Sequence, residues 1–364
     1  MTGTRAWLAA AALAGVIGFG HVPRVFAADA FYQGKRLSVL VNFAAGGPTD
    51  IEGRLFARHV GKHLAGNPAI VVQNMDGAGG GTGTAWLGEI APKDGTVVGY
   101  LTGPAWRHVT VKEKARVDFL SYHVIAYQPG TTVYYARASV EPGLKTAADI
   151  LKARNLVIGG LTADSSKDLL ERLSMDLLGV KYGYVTGYTS NSSARLAFQR
   201  GEINMFAESP PGYLSVVAPG FVAKGEAVPL FYDPLWNGVR FAEPAQAKGL
   251  DMKPFHEFMR DATGREPSGK PWDIYKHVLA VNGAMQRLVV FPPGTPAPAI
   301  EAMRAAIRKL ATDGDFAADA EKAMGFVPDY EAGDGVQAEF EQALSVPEED
   351  RNFIADYIAR GQKR

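Results

Sequence analysis

The sequence predicts an α/β protein made of two units. Three observations carry this. Short apolar runs alternate with segments of helical period, the pattern of strands joined by crossover helices into a largely parallel sheet. The pattern pauses after residue 101 and restarts near residue 132. Three of the apolar runs lead into small-residue turns that open directly into helices, at 43–50, 74–83 and 159–166.

The first unit begins with a strand over Leu37 to Phe43. The helix after it is predicted because Ile51, Leu55, Phe56, Val60 and Leu64 recur on one face. Thr49 is its expected cap, and Gly66-Asn67-Pro68 stops it. A second strand, Ala69 to Val72, precedes the second turn and a helix over Gly83 to Ile90. Pro92-Lys93-Asp94-Gly95 is a turn, and Val97 to Leu101 a third strand. The second unit opens with a β-rich run, Thr132 to Ala136, followed by a helix over Ala147 to Arg154. Leu156-Val157-Ile158 is a strand ending in Gly159-Gly160. The helix after it places Leu169, Leu170, Leu173 and Leu177 on one face and closes at Gly179. A strand at Tyr182–Val185, a helix at Ser193–Arg200 and a strand at Ile203–Ala207 complete the unit. Residues 233–286, rich in Pro, Gly and aromatics, show no clear period. A strand at Leu288–Phe291 then leads into helices at 297–311, 316–324, 335–344 and 349–359.

Composition narrows the function. The chain has 364 residues, 47% apolar and 21% charged, enough for two domains around a substantial core. Lys+Arg and Asp+Glu both number 38, and the absence of a sustained basic stretch argues against a nucleic-acid partner. Residues 1–27 read as a cleaved signal peptide: Arg5, an apolar run from Ala6 to Gly20, then Val25-Phe26-Ala27 before the cut, with Ala28-Asp29-Ala30 as the alternative. That run is shorter than the roughly 20 residues a membrane span needs. With no cysteine, lipoprotein anchors, disulfides and thiolate metal sites are excluded, and an exported cysteine-free chain fits a bacterial periplasm.

The small-residue turns carry the functional signal. Glycine lets the backbone approach a ligand, and a helix start offers unpaired N–H donors with partial positive charge. Two such turns form an anion cradle that needs no arginine. The first supplies Phe43, Ala44, Ala45, Gly46, Gly47, Thr49 and Asp50; the second supplies Ala78, Gly79, Gly80 and Thr82. Asp50 reads equally as a helix-start acid or as the acceptor for a ligand hydroxyl or bridging water, with Arg54 one turn away to neutralise it. Thr102 and Gly103 follow the third strand, where an open α/β sheet forms its crevice, and Trp106 is expected in the core or at the lip. In the second unit Thr162, Ser165, Ser166, Tyr188, Ser190 and Asn191 are polar loop candidates. Glu208 would suit a cationic, hydroxyl or protonated group.

Other chemistry fits less well. His59 and His63 lie four apart on one helix without an evident third ligand, so they read as a packed or surface pair. His256-Glu257 lacks the second histidine of a zinc-protease motif, and no serine has the glycine spacing of a hydrolase elbow. The second turn misses the dinucleotide fingerprint in each register, because Thr82, Thr84 or Trp86 takes the last glycine's place.

The stretch Phe43-Ala44-Ala45-Gly46-Gly47-Pro48-Thr49-Asp50 resembles the first ligand loop of the Bug family, the periplasmic substrate-binding proteins of tripartite tricarboxylate transporters. Gly77-Ala78-Gly79-Gly80 with Gly83 is similar to that family's second loop. Ala91-Pro92-Lys93-Asp94-Gly95 resembles its following turn, and Pro292-Pro293-Gly294-Thr295-Pro296 its return segment. The resemblance implies a two-lobed type II periplasmic binding protein fold. Lobe one would be residues 30–135 plus 291–364 and lobe two 136–290, with two crossovers as the hinge. It implies a carboxylate held by backbone amides of the first two loops, the position of Asp50 often taking part. It also implies two membrane subunits as partners. The chain departs from the pattern at Gly159–Ser166, at Val185-Thr186-Gly187-Tyr188-Thr189, at Glu208 and in the longer stretch 233–286.

The expectation is therefore a monomeric exported binding protein without cofactor or catalysis. It captures a small organic acid by hinge closure and hands it to a transporter. A receptor-docking sensor and a nucleotide-dependent enzyme are the alternatives.

Overall fold

The computed structural model describes residues 31–111, 118–283 and 285–361; the expected signal peptide, residues 1–27, lies outside them. The first lobe opens with β1 (Arg36–Val41), α1 (Pro48–His63), β2 (Ala69–Asn74), α2 (Gly81–Glu89), β3 (Val97–Thr102), α3 (Pro104–Val111) and β4 (His123–Gln128). The chain then crosses to β5 (Val133–Arg137), β6 (Leu156–Gly160), α4 (Ser166–Leu178), β7 (Tyr182–Thr186), α5 (Asn191–Arg200) and β8 (Met205–Glu208). A π-helical segment, Tyr213–Val222, leads to β9 (Ala227–Tyr232). The stretch 233–286 holds the hairpin β10 (Leu235–Trp236) and β11 (Phe241–Ala242), then α6 (Phe255–Thr263) and α7 (Lys270–Val278). Return strand β12 (Arg287–Phe291) is followed by α8 (Ala297–Leu310), α9 (Gly314–Met324), α10 (Val336–Ala343) and α11 (Glu348–Gly361).

The two sheets have one strand order, β2-β1-β3-β12-β4 in the first and β7-β6-β8-β5-β9 in the second. Strand β1 runs parallel to β2 and β3, as β6 does to β7 and β8. The sheets are mixed, because β12 pairs antiparallel with β3 and β4, and β5 pairs antiparallel with β8 and β9. In each sheet the antiparallel inner strand is the one that has just crossed from the other lobe. Pairing puts β5 in the second sheet and β12 in the first, so the boundaries expected at 135 and 290 fall inside strands. Strands β4 and β9 were not foreseen, and Ala147–Lys152 is a 3₁₀ rather than an α-helix.

Apolar residues on both faces of β1 are buried. Leu37, Val39 and Val41 join a cluster with Phe56 of α1 and Ile307 of α8. Leu40 faces a second cluster, which runs through Trp106 into Leu169 and Tyr275 of the other lobe. That continuous core ties the lobes together behind the cleft. In 233–286 the rings of Trp236, His256 and Trp272 gather around Phe241, with His256 stacked on it. No helix among the described residues is long and apolar enough to cross a membrane.

Candidate functional site

Two side-chain amides, Asn42 buried and Asn74 half-buried, shape the lobe-one wall. Asn42 follows β1 directly; its Nδ2 donates to the carbonyls of Gly80 (3.2 Å) and Thr102 (3.0 Å), and its Oδ1 accepts from the Thr102 N–H (3.0 Å). One side chain thus locks the ends of β1 and β3 to the second turn. The Gly80 backbone lies at φ +88°, and an added Cβ would come within 2.5 Å of Asn42 Nδ2, so only glycine fits there. Asn74, at the end of β2, donates to the Phe43 carbonyl and to Asp50 Oδ1, both at 2.9 Å.

Asp50 is taken up by this framework. Its Oδ2 accepts from the Gly46 N–H (2.8 Å) and Arg54 Nε (2.9 Å). Burial acts to raise its pKa, but Arg54, the Gly46 N–H and Asn74 together hold the carboxyl below its ordinary range. Thr49 does not cap α1. Gly47 is the N-cap with no side-chain bond, Pro48 takes the first helical position, and the Thr49 hydroxyl meets the Thr102 hydroxyl at 3.0 Å. In the second turn the N–H groups of Gly80 and Thr82 bond the Gly77 carbonyl (3.0 and 3.3 Å), which leaves that turn fewer donors than its glycines suggest.

Lobe two builds its wall from side-chain caps. Ser165 Oγ accepts from the Asp168 N–H at the start of α4 (3.2 Å), and Ser190 Oγ from the Ser193 N–H at the start of α5 (3.1 Å). Ser166 Oγ donates to Asn282 Oδ1 in the second crossover (2.7 Å).

Between the lobes lies a cavity of about 110 Å³. Lobe one lines it with Phe43, Ala44, Gly47, Pro48, Thr49 and Gly79, then Thr102, Gly103 and Trp106. Lobe two contributes Leu161, Ser165, Ser166, Lys167, Ser190, Asn191, Ser192 and Ser209, and the crossovers Thr132, Asn282, Gln286 and Arg287. Helices α1, α3, α4 and α5 all begin at this wall, so four N-termini converge from both lobes. Trp106 Nε1 donates to the Asp164 carbonyl at 2.8 Å, a direct bond from lobe one to lobe two.

Twelve of the residues singled out from the sequence line this cavity: Phe43, Ala44, Gly47, Thr49, Gly79, Thr102, Gly103, Trp106, Ser165, Ser166, Ser190 and Asn191. Ala78, Gly80, Thr162 and Tyr188 line an adjoining cavity of about 260 Å³, which shares Phe43, Gly79 and Leu161 with the first. Ala45, Gly46, Asp50, Thr82 and Glu208 line neither. Glu208 is fully buried, with Oε2 2.6 Å from Arg195 Nη1 and Oε1 accepting from the Tyr135 hydroxyl at 3.3 Å. Burial raises its pKa against the pull of Arg195. A Cβ at Gly212 would lie 2.2 Å from that carboxylate, so glycine lets the following turn close over it.

The sequence reading missed two cations, Lys167 and Arg287. Lys167 Nζ lies 3.1 Å from Asp168 Oδ1 and 3.9 Å from Glu171 Oε2. Arg287 Nη2 bonds Glu52 Oε1 and Ser209 Oγ, the latter at 3.2 Å. A lysine in the first turn of a helix opposes the dipole preference, and that was a readable signal. Arg287 opens a strand otherwise apolar, and nothing in the sequence ties it to Glu52. His59 and His63 each meet a carboxylate, Asp319 at 2.9 Å and Asp313 at 2.8 Å. Among the described residues no cluster of His, Cys, Asp or Glu could hold a metal ion.

No family model matches the chain. It is similar to a UPF0065 protein in the TAR-I ttuE-ttuC' intergenic region of Agrobacterium vitis, 32% identical over 168 residues, which are 44% of this chain and 47% of that one. The chain thus spans about half the length of this curated relative. Its fold is similar to the periplasmic binding protein BugD, with a TM-score of 0.66 at 17% identity over 91% of this chain and 99% of that one. The fold is that of a periplasmic binding protein. MatC from Rhodopseudomonas palustris, solved with bound malate, is also similar, with a TM-score of 0.61 at 18% identity over 89% of this chain and 99% of that one. These likenesses bear out the resemblance to Bug-type proteins read from the loops. The structural relatives are binding proteins.

Proposed function

We propose that this chain is a periplasmic solute-binding protein that captures a small organic carboxylate between its lobes for a tripartite tricarboxylate-type transporter. One observation carries the reading: four helix N-termini, two from each lobe, start at the wall of one interlobe cavity. Each N-terminus favours an anion by about 0.3–1 kcal/mol when exposed and up to about 2 when partly buried. Micromolar affinity needs about −8 kcal/mol, so the N-termini suffice only when closure removes water and lets both lobes act together. The Trp106–Asp164 bond is the contact such closure would make. The similarity to MatC, solved with malate, supports an organic acid as the guest. Phe43, Pro48, Trp106 and Leu161 give the cavity apolar walls that would select the carbon skeleton. Export through the N-terminal segment and delivery to two membrane subunits by a monomeric chain belong to the same reading. The likeness to the periplasmic binding protein BugD supports capture over catalysis.

A thermal-shift screen of mono-, di- and tricarboxylates, aromatic acids included, tests it. At about 100 times the dissociation constant a single-site ligand adds about 2.7 kcal/mol, a shift of a few degrees. Stabilisation by a sugar or a cation with no carboxylate hit would overturn the ligand class.

A further inference from the structure

We propose that Arg287 is the cation that meets the ligand's negative charge, with its strength set by Glu52. The inference rests on the carboxylate reading above and adds a residue to it that determines affinity and charge selectivity.

Arg287 is the first residue of β12, where the chain re-enters lobe one, and it is 2% exposed. It lines the cavity. Its Nη2 reaches Glu52 Oε1 on α1 in lobe one and Ser209 Oγ in lobe two, so one guanidinium touches both halves of the molecule. Its Nε is buried and has no hydrogen-bond partner among the described residues. A guanidinium stays charged and always presents its donors, and a buried donor without a partner is costly. A carboxylate in the cavity beside Arg287 would add a charge-assisted bond to the guanidinium.

Lys167, the other cation in the wall, is placed differently. Asp168 and Glu171 both face its ammonium, which also lies 4.2 Å over the Phe206 ring. Asp168 is its near counter-charge, within lobe two alone, and its Nζ, like Arg287 Nε, has no hydrogen-bond partner among the described residues. Arg287 has the single carboxylate of Glu52 as counter-charge. Glu52 thus mutes the cation without removing it, and removing Glu52's charge would expose Arg287 in full to the ligand.

The test is calorimetric titration of the full chain with succinate, malate, adipate and benzoate, and with the uncharged amide of whichever acid binds best. Glu52→Gln is expected to tighten that acid by roughly threefold or more, because the guanidinium loses its competitor. The double variant Glu52→Gln/Arg287→Gln leaves no unpaired buried charge, and its melting curve checks the fold. It is expected to bind the acid roughly 10- to 100-fold more weakly, the range for a hydrogen bond to a charged group, with little change for the amide. Acid affinity unchanged in both variants overturns the proposal, as does equal weakening of acid and amide, which would mark a structural role only. A wild-type chain that binds none of the four acids overturns the carboxylate reading itself, an outcome separate from the other two.

Discussion

The two lobes share a strand order and build the same wall by different means. In lobe one the wall is backbone. Gly47 caps α1 and Gly80 caps α2 without a side-chain bond, Gly79, Gly80 and Gly103 sit at positive φ, and the side-chain amides of Asn42 and Asn74 pin the loops. In lobe two the wall is side chain. Serines cap α4 and α5, Lys167 pairs with Asp168 at the wall, and Arg195 with Glu208 is buried in the lobe. A serine cap consumes an N–H that a glycine cap leaves open. The difference shifts the balance between the lobes: a serine takes up one N–H at the starts of α4 and α5, while the start of α1 loses none to a side-chain cap.

The sharpest way to break this comparison is at Gly79. Its backbone lies at φ 59° and it lines both cavities. A β-branched residue is disfavoured in that region, and its methyls would enter the cleft. Gly79→Val is expected to weaken the best carboxylate from the screen by roughly 100-fold or more while the melting temperature falls by only a few degrees. Titration calorimetry beside a melting curve reads both. Unchanged affinity would make the second turn a connector and dissolve the contrast between the lobes.

The loops that make this wall were legible because glycine leaves an explicit mark and helix starts follow from period. Strands β1 to β3 and β6 to β8 were legible as apolar runs between turns. Three things were not. Asn42 and Asn74 look like ordinary strand-end polar residues, yet their bonds span 24 to 60 residues of chain. The antiparallel strands β4 and β9 carry no local sign of their partners, since pairing is decided by the crossovers. Arg287 and Glu52 stand 235 residues apart, and no local rule joins them. The expectation of a cradle without a formal cation was drawn from local loop signals, which carry no sign of the Arg287–Glu52 pair.

Lobe two's buried charges can be tested through pH. Burial pushes the Glu171 carboxyl up to about 8 against the pull of Lys167, and neither of its oxygens has a hydrogen-bond partner among the described residues. The folded chain then holds a proton there that the unfolded chain releases near the ordinary glutamate value. Its stabilising contribution is complete below about pH 4.5 and is lost as pH rises through about 8. The wild type is expected to melt lower at pH 8 than at pH 5.5, and Glu171→Gln to shrink that drop by a few degrees. An identical drop in both proteins would mean that Glu171 is ionised in the fold and that Lys167 is more fully neutralised than the geometry indicates. Asp233, pushed up to about 7 by burial, adds a second loss over the same range that the Gln variant retains.

The mildest test separates the serine caps from ligand contact. Ser190 lines the cavity, but its hydroxyl accepts the Ser193 N–H while Ser193 returns the bond to the Ser190 N–H, both at 3.1 Å. This reciprocal pair is a capping box, and breaking one side of such a box costs about 1 kcal/mol. Ser190→Ala is expected to lower the melting temperature by about 2–4 °C and to change carboxylate affinity less than about threefold. The reason is geometric: the Ser190 hydroxyl donates its one proton to Ser193 Oγ at 3.4 Å, and the alanine leaves the N–H groups at the start of α5 in place. A loss of affinity near that of Gly79→Val would show that lobe two contributes to charge recognition as strongly as lobe one, through a hydroxyl that donates to the guest instead of serving the helix.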